Sequence, residues 1–191
     1  MAILDKPEVI IAFCALVVSG VSIFLTLKTL KVQKQHNLKS VRPIGRLTAG
    51  DYEDDIYISI VNEGIGPLII KELKVSTTKL SALSLIDIVP DHINNQVIWT
   101  DFAANFNGRA IRSGDRLYLL RKTFEDTEKQ QVVNEKTREL LRKFFQQLTL
   151  ELTYIDIYDV QYKVERKFDW FGRHFEPKVP HKQARKTAQT I

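Results

Sequence analysis

The sequence predicts one N-terminal transmembrane helix joined to a mainly-β soluble domain of sandwich type, with a single amphipathic helix inserted between strands. Three observations carry this. Val9 to Leu27 contains no charge over about nineteen residues, the length a helix needs to cross a hydrocarbon core. Short runs such as 56–62, 149–154 and 160–164 alternate apolar with polar residues and are bounded by Gly, Pro, Asn and Asp. The stretch from about 127 to 147 instead repeats its apolar residues at helical spacing.

The apolar stretch begins after Asp5, Lys6 and Glu8, and Pro7 stands where helix starts tolerate proline. Two other readings fit less well. Core helices of soluble domains seldom run this long without a charge. A cleaved signal peptide has a basic front end and small residues at its exit, whereas here the front is acidic and the exit reads Phe24, Leu25, Thr26, Leu27. The stretch therefore reads as a retained anchor. Lys6 is the only Lys or Arg before it, while Lys28, Lys31, Lys34, Lys39, Arg42 and Arg46 follow before the first acid, Asp51. The positive-inside rule then places residues 1–8 outside and the C-terminal domain in the cytoplasm of a single-pass inner-membrane protein. Cys14, the lone cysteine, lies within the span, so the soluble part has no internal disulfide to form, which agrees with a reducing compartment.

Ala12, Ala15, Ser19, Ser22 and Thr26 recur at steps of three and four, a seam of small residues along one helix face. In lipid, such faces let backbones approach and hydroxyls bond across, which predicts a parallel homo-oligomer. The chain has 191 residues and a formal charge of +5. The excess is local. Residues 28–43 form a basic juxtamembrane stalk, in which Lys28, Lys31, Lys34, Lys39 and Arg42 suit anionic lipid head groups, and residues 172–191 form a basic tail expected to be disordered. No duplex nucleic acid is expected as a partner, and no cofactor is implied.

The soluble domain spans residues 44–171. Pro43 disfavours helix at Arg42 and turns the chain extended, so Ile44 to Thr48 reads as a first strand. Asp51, Glu53, Asp54 and Asp55 form an acidic loop; the EF-hand spacing is missing, and a solvated turn facing basic neighbours is expected. Ile56, Ile58 and Ile60 share one face of the next strand. Asn62 to Pro67 then makes a compact turn into Leu68 to Ser76, and the two strands read as an antiparallel hairpin. Its glycines are too closely spaced for a dinucleotide fingerprint, and no helix follows.

Residues 79–107 show mixed periodicity and stay unassigned. Asp91 and His92 offer a base and an orienting partner, but no nucleophile motif accompanies them, so no catalytic residue, no metal site and no enzymatic activity is assigned. Trp99, Phe102 and Phe106 read as core. Residues 109–115 read as strand then turn, followed by a strand through Leu117 and Leu119. Thr127 and Gln130 fit a capping box. Val133, Leu140, Leu141, Phe144, Phe145 and Leu148 form the buried stripe of the helix, with Lys136, Arg138, Arg142 and Lys143 on its wet face. Two strands, from Thr149 to Tyr154 and from Val160 to Val164, close the sheet as a hairpin.

Ser40-Val41-Arg42-Pro43 after a span and basic stalk, Asn62-Glu63-Gly64-Ile65-Gly66-Pro67 between two strands, and Tyr154-Ile155-Asp156-Ile157-Tyr158-Asp159-Val160 between the last two resemble a group of small bacterial membrane proteins. Those proteins have one N-terminal span and an immunoglobulin-like β-rich domain, with alanine often at the position of Leu68 and glycine at that of Asp159. The resemblance covers most of the chain. It implies the fold and carries no activity or site residues.

The function expected is therefore binding or sensing by a membrane-anchored cytoplasmic domain. The alternative is a membrane effector of bacterial antiviral signalling, CRISPR or related, that binds a cyclic oligonucleotide and perturbs the bilayer. Such a ligand needs basic and aromatic residues together, for which Arg109, Arg112, Arg116 and Trp99 are the candidates.

Overall fold

A computed structural model describes residues 7–124 and 131–175. A 34-residue helix, α1 (Pro7–Ser40), runs without interruption through the apolar stretch and the basic stalk. At 1.5 Å per residue it is about 51 Å long, against about 30 Å for a hydrocarbon core. None of its residues is buried against the rest of the chain, and its apolar window has a mean hydropathy of 2.6. By length and composition it is a candidate membrane span.

The domain consists of two antiparallel sheets. The first holds β1 (Gly45–Asp51), β2 (Asp55–Asn62), β7 (Arg116–Thr123) and β5 (Asp101–Phe102), in that order. The second holds β4 (Ser81–Ala82), β3 (Leu68–Ser76), β8 (Thr149–Ile155) and β9 (Gln161–Lys167), with β6 (Ala110–Ile111) also paired to β3. Ile56, Ile58 and Ile60 from the first sheet meet Leu68, Ile70, Val75, Leu150 and Leu152 from the second in one core, all fully buried. Both Leu119 and Leu120 point into that core because a bulge between Ile58 and Ser59 shifts the register of β2 against β7. The Arg166 guanidinium donates to the Leu47 carbonyl at 2.6 Å, so the edges of β9 and β1 close on each other.

The last hairpin forms as expected: β8 and β9 pair from Thr149↔Lys167 to Ile155↔Gln161. The earlier one does not. β2 is flanked by β1 and β7, and β3 lies in the other sheet. Asn62 to Pro67 is thus a crossing between sheets, because alternation marks which face of a strand is buried and is silent on its neighbours. In the unassigned region, Leu85, Ile88, Val89, Ile93 and Val97 are buried through irregular turns and a short helix, α2 (Asp91–Asn94).

The inserted helix α3 runs from Gln131 to Phe145. The capping residues Thr127 and Gln130, and the tail beyond Phe175, lie outside the described residues. Leu141, Phe144, Phe145 and Leu148 are buried as expected. Two assignments on this helix are corrected. Val133 is 61% exposed, and Arg138, expected on the wet face, is buried at 6%. Arg138 and Arg142 turn inward because a carboxylate waits there. The Asp51 side chain is fully buried, and its carboxylate accepts from Arg142 through Nε and Nη2 (2.9 and 3.1 Å), from Arg138 Nη1 (3.2 Å) and from Arg173 Nη2 (3.2 Å), with His174 Nε2 at 2.9 Å. Glu135 adds a second carboxylate to Arg142 at 3.1 Å, and Arg138 also donates to the Tyr52 and Glu53 carbonyls. The acidic loop is solvated only in part: Glu53 and Asp54 are exposed, whereas the Asp51 side chain and Asp55 are buried against the basic neighbours they were expected to face, Asp55 with Arg121 at 2.9 Å.

Candidate functional site at the helix–domain junction

The three stretches behind the family resemblance converge on one place, the point where α1 hands the chain to the domain. Helical hydrogen bonding ends with Val41 and Arg42, and Pro43 is buried. The crossing turn wraps this exit. Asn62, fully buried, uses its whole amide there: Oδ1 accepts from the Ile44 and Gly64 N–H groups (3.2 and 3.0 Å), and Nδ2 donates to the Gly66 and Ile111 carbonyls (2.7 and 3.0 Å). A buried amide can be retained at low cost only when both ends are satisfied in this way. The Glu63 N–H donates to the Ile44 carbonyl at 2.8 Å. A Cβ at Gly66 would overlap the Val41 carbonyl, and one at Gly64 would overlap the Arg42 carbonyl. Both glycines are there to let two backbones touch.

The second turn, 156–160, closes the other side. Asp156 is 1% exposed; its Oδ1 accepts from the Tyr158 and Val160 N–H groups (2.8 and 2.9 Å) and its Oδ2 from the Tyr162 hydroxyl (3.1 Å). Burial, followed by that bond to Asp156, raises the Tyr162 pKa and keeps the phenol a donor. The Tyr154 and Tyr162 rings stack at 5.4 Å, the Tyr154 hydroxyl accepts from the Gly45 N–H at 3.0 Å, and the Arg42 guanidinium lies 4.8 Å above the Tyr162 ring. Each turn thus reaches the linker 41–45 through a buried polar side chain or its tyrosines. The domain grips the base of the helix over the whole junction.

The distal end is held by the Asp51 cluster. Burial would raise the Asp51 pKa, but its hydrogen bond and charge contact with Arg142, then Arg138 and His174, outweigh it and lower the carboxyl. His174 is pushed down by burial, then by Arg142 and Arg173, against the pull of Asp51. Its Nε2 lies 2.9 Å from the carboxylate.

The four candidate ligand residues do not form one site. Arg112 is 88% exposed and pairs with Asp115 at 2.9 Å in the turn before β7, at the junction end of the domain. Arg116 starts β7 and donates to the Tyr57 hydroxyl at 2.6 Å, lying over the Tyr57 and Tyr118 rings. Arg109 precedes β6, its carbonyl bonded to the Ile70 N–H. Trp99 lies by the far end of β7, its indole N–H donating to Asn94. Asp91 and His92 are exposed on α2. Among the described residues no group of three or more His, Cys, Asp or Glu is placed to hold a metal ion.

On α1, Ala12, Ala15, Ser19, Ser22 and Thr26 are exposed along the helix, and the Thr26 hydroxyl donates back to the Ser22 carbonyl at 2.8 Å. Lys28, Lys31, Lys34 and Lys39 are exposed on the stalk. Sequence reasoning found the crossing turn through its glycines and the second turn as the link between the last two strands, but missed Asn62 and Asp156 as their polar centres; an Asn or Asp directly before a Gly-rich or aromatic turn was the available signal.

No protein-family model matches the chain, and no curated protein matches it.

Proposed function

We propose that this chain is a non-enzymatic binding or sensing protein, single-pass in a bacterial inner membrane, whose immunoglobulin-like β domain works at the cytoplasmic face. The observation that carries the reading is a helix with no buried residue that runs straight into a junction built on buried Asn62 and Asp156. An apolar helix left uncovered by its own chain needs lipid or other helices around it. A domain locked to that helix transmits its orientation into the membrane. The stalk from Lys28 to Ser40 lifts the domain by about 20 Å, past the head groups, while its lysines meet anionic lipid. The seam from Ala12 to Thr26 then brings spans of several copies together.

Membrane fractionation of the full-length chain tests the anchor, and a C-terminal reporter tests its orientation. Recovery in the soluble fraction, or a reporter active only in the periplasm, overturns the reading. Crosslinking of wild type and Ser19→Leu tests the seam; monomers alone in both remove the oligomer. The cyclic-oligonucleotide reading keeps one favourable feature, Arg116 held between two tyrosine rings. A thermal-shift screen with cyclic nucleotides decides it, and no shift with any of them ends it.

A further inference from the structure

We propose that the chain from Arg173 to Phe175 is a pH-sensitive strap, latched onto Asp51 while His174 is uncharged and released from a still-folded domain when His174 takes up a proton. The device belongs to the distal end of the domain and does not depend on the membrane anchor.

The strap ends a short 3-10 helix, Asp169–His174, whose root is fixed. Phe168 and Phe171 are fully buried, and the Phe171 ring lies 5.2 Å from that of Phe145 on α3. Beyond Gly172 the hold on the domain changes character. Arg173 Nη2 and His174 Nε2 both reach Asp51 Oδ2, at 3.2 and 2.9 Å. Phe175 is 39% exposed, with the Lys143 ammonium 5.4 Å from its ring. Arg173 also donates to the Trp170 carbonyl and stacks on the Trp170 ring, but those contacts lie within the segment and travel with it.

The carboxylate that holds the strap is shared. Arg142 donates to both of its oxygens and Arg138 to one. The charged groups around His174 are Asp51 from β1, Arg138, Arg142 and, through Arg142, Glu135 from α3, Arg173 from its own turn, and Lys143 beside Phe175. Four cations thus meet two carboxylates, and one of these, Glu135, is 60% exposed and screened by water. A proton on His174 adds a fifth cation. Burial, then Arg142 and Arg173, oppose that charge more than Asp51 favours it.

Exposure decides which partner gives way. Arg138 and Arg142 are 8% and 12% exposed, and Arg138 is tied to the Tyr52 and Glu53 carbonyls, so withdrawing Asp51 would strand buried charge. Arg173 and His174 are 35% and 33% exposed and regain water by leaving. Asp51 then keeps its bonds from Arg138 and Arg142. Once released, the ring titrates near its ordinary value of about 6.5, whereas the latched ring titrates lower. The released form therefore gains as the pH falls below about 6.5, by up to about tenfold per pH unit until the latched ring also protonates.

The test is backbone amide relaxation in the full-length chain in detergent micelles, stepped from about pH 7.5 to about 5.5. Expected is that the amides of Arg173, His174 and Phe175 pass from ordered to mobile below about pH 6.5, while those of Phe171, α3 and β1 stay ordered. His174→Gln should remain latched throughout, and His174→Lys should be released even at about pH 7.5. Order kept at 173–175 down to about pH 5.5, loss of order in α3 and β1 in the same step, a mobile strap in the Gln variant, or a latched one in the Lys variant would overturn the proposal.

Discussion

Replacing Asn62 by alanine removes a side chain whose four hydrogen bonds tie the crossing turn to the helix exit and to β6. Three of its partners, the Gly64 N–H and the Gly66 and Ile111 carbonyls, are in buried contacts, and the fourth, the Ile44 N–H, is partly buried. Each buried backbone group left without a partner costs about 1–1.5 kcal/mol, so the variant should lose about 3–5 kcal/mol. That is a large fraction of the roughly 5–15 kcal/mol that holds a domain of this size together. In urea, with a slope near 2 kcal/mol/M, the midpoint of the β domain should fall by about 2 M. The assay is denaturation of the full-length chain in micelles, followed by fluorescence of Trp99 and Trp170, which are its two tryptophans. Asn62→Asp sharpens the test. It keeps the acceptor for Ile44 and Gly64 but turns an oxygen toward the Gly66 and Ile111 carbonyls. At neutral pH it should be at least as damaging as alanine, and it should recover in acid as the carboxyl takes up a proton and donates. A midpoint shift below about 0.5 M for alanine, or full tolerance of aspartate at neutral pH, would refute the view that this amide holds the junction.

Asp51→Asn leaves Arg138 and Arg142, 8% and 12% exposed, around a neutral group, and should cost about 3 kcal/mol or more by the same urea assay. Stability should fall with acid in two stages. Unfolded His174 takes up its proton near pH 6.5, whereas the folded ring resists it, so the unfolded state binds more protons as the pH drops below about 6.5 and stability declines. Thermal midpoints measured from neutral pH downward should show this first loss in wild type and lack it in His174→Gln. The second loss belongs to Asp51, whose lowered carboxyl holds its contribution until the pH falls through its folded value, below the ordinary 3.8. Asp159 has φ of 60°, a conformation that glycine adopts without the Cβ penalty. Asp159→Gly should stabilise the domain by about 0.5–1 kcal/mol in the same denaturation experiment, and a loss of stability would contradict the assigned turn geometry.

Local composition was enough to locate α1, since an uncharged run of that length has few other fates. Alternation located β2, β8 and β9 and the faces they bury, because a strand's side chains take their direction from its own pleat. The glycines of the crossing turn were visible as punctuation, though not as points where Val41 and Arg42 press against backbone. Legibility failed where a residue's role depends on a partner far along the chain. Arg138 and Arg142 have the spacing of a solvated face, and nothing near them in sequence announces Asp51, which is buried with them. Val133 sits on the apolar stripe by spacing, yet α3 meets the sheets only further along its length.

Strand partnership was undetermined for the same reason. A turn of six residues between two strands is compatible with a hairpin or with a crossing, and the choice rests on what else competes for each edge. β7, which lies more than fifty residues after β2, takes the edge that β3 would have occupied. By itself, then, the sequence determined an uninterrupted apolar helix, a β-rich domain and the inward faces of its strands, all consequences of periodicity within a few residues. Only the tertiary structure decided which sheet each strand joins, that two separated turns meet at the base of α1, and that one carboxylate draws in three arginines and a histidine, because each of those follows from contacts between segments far apart in the chain.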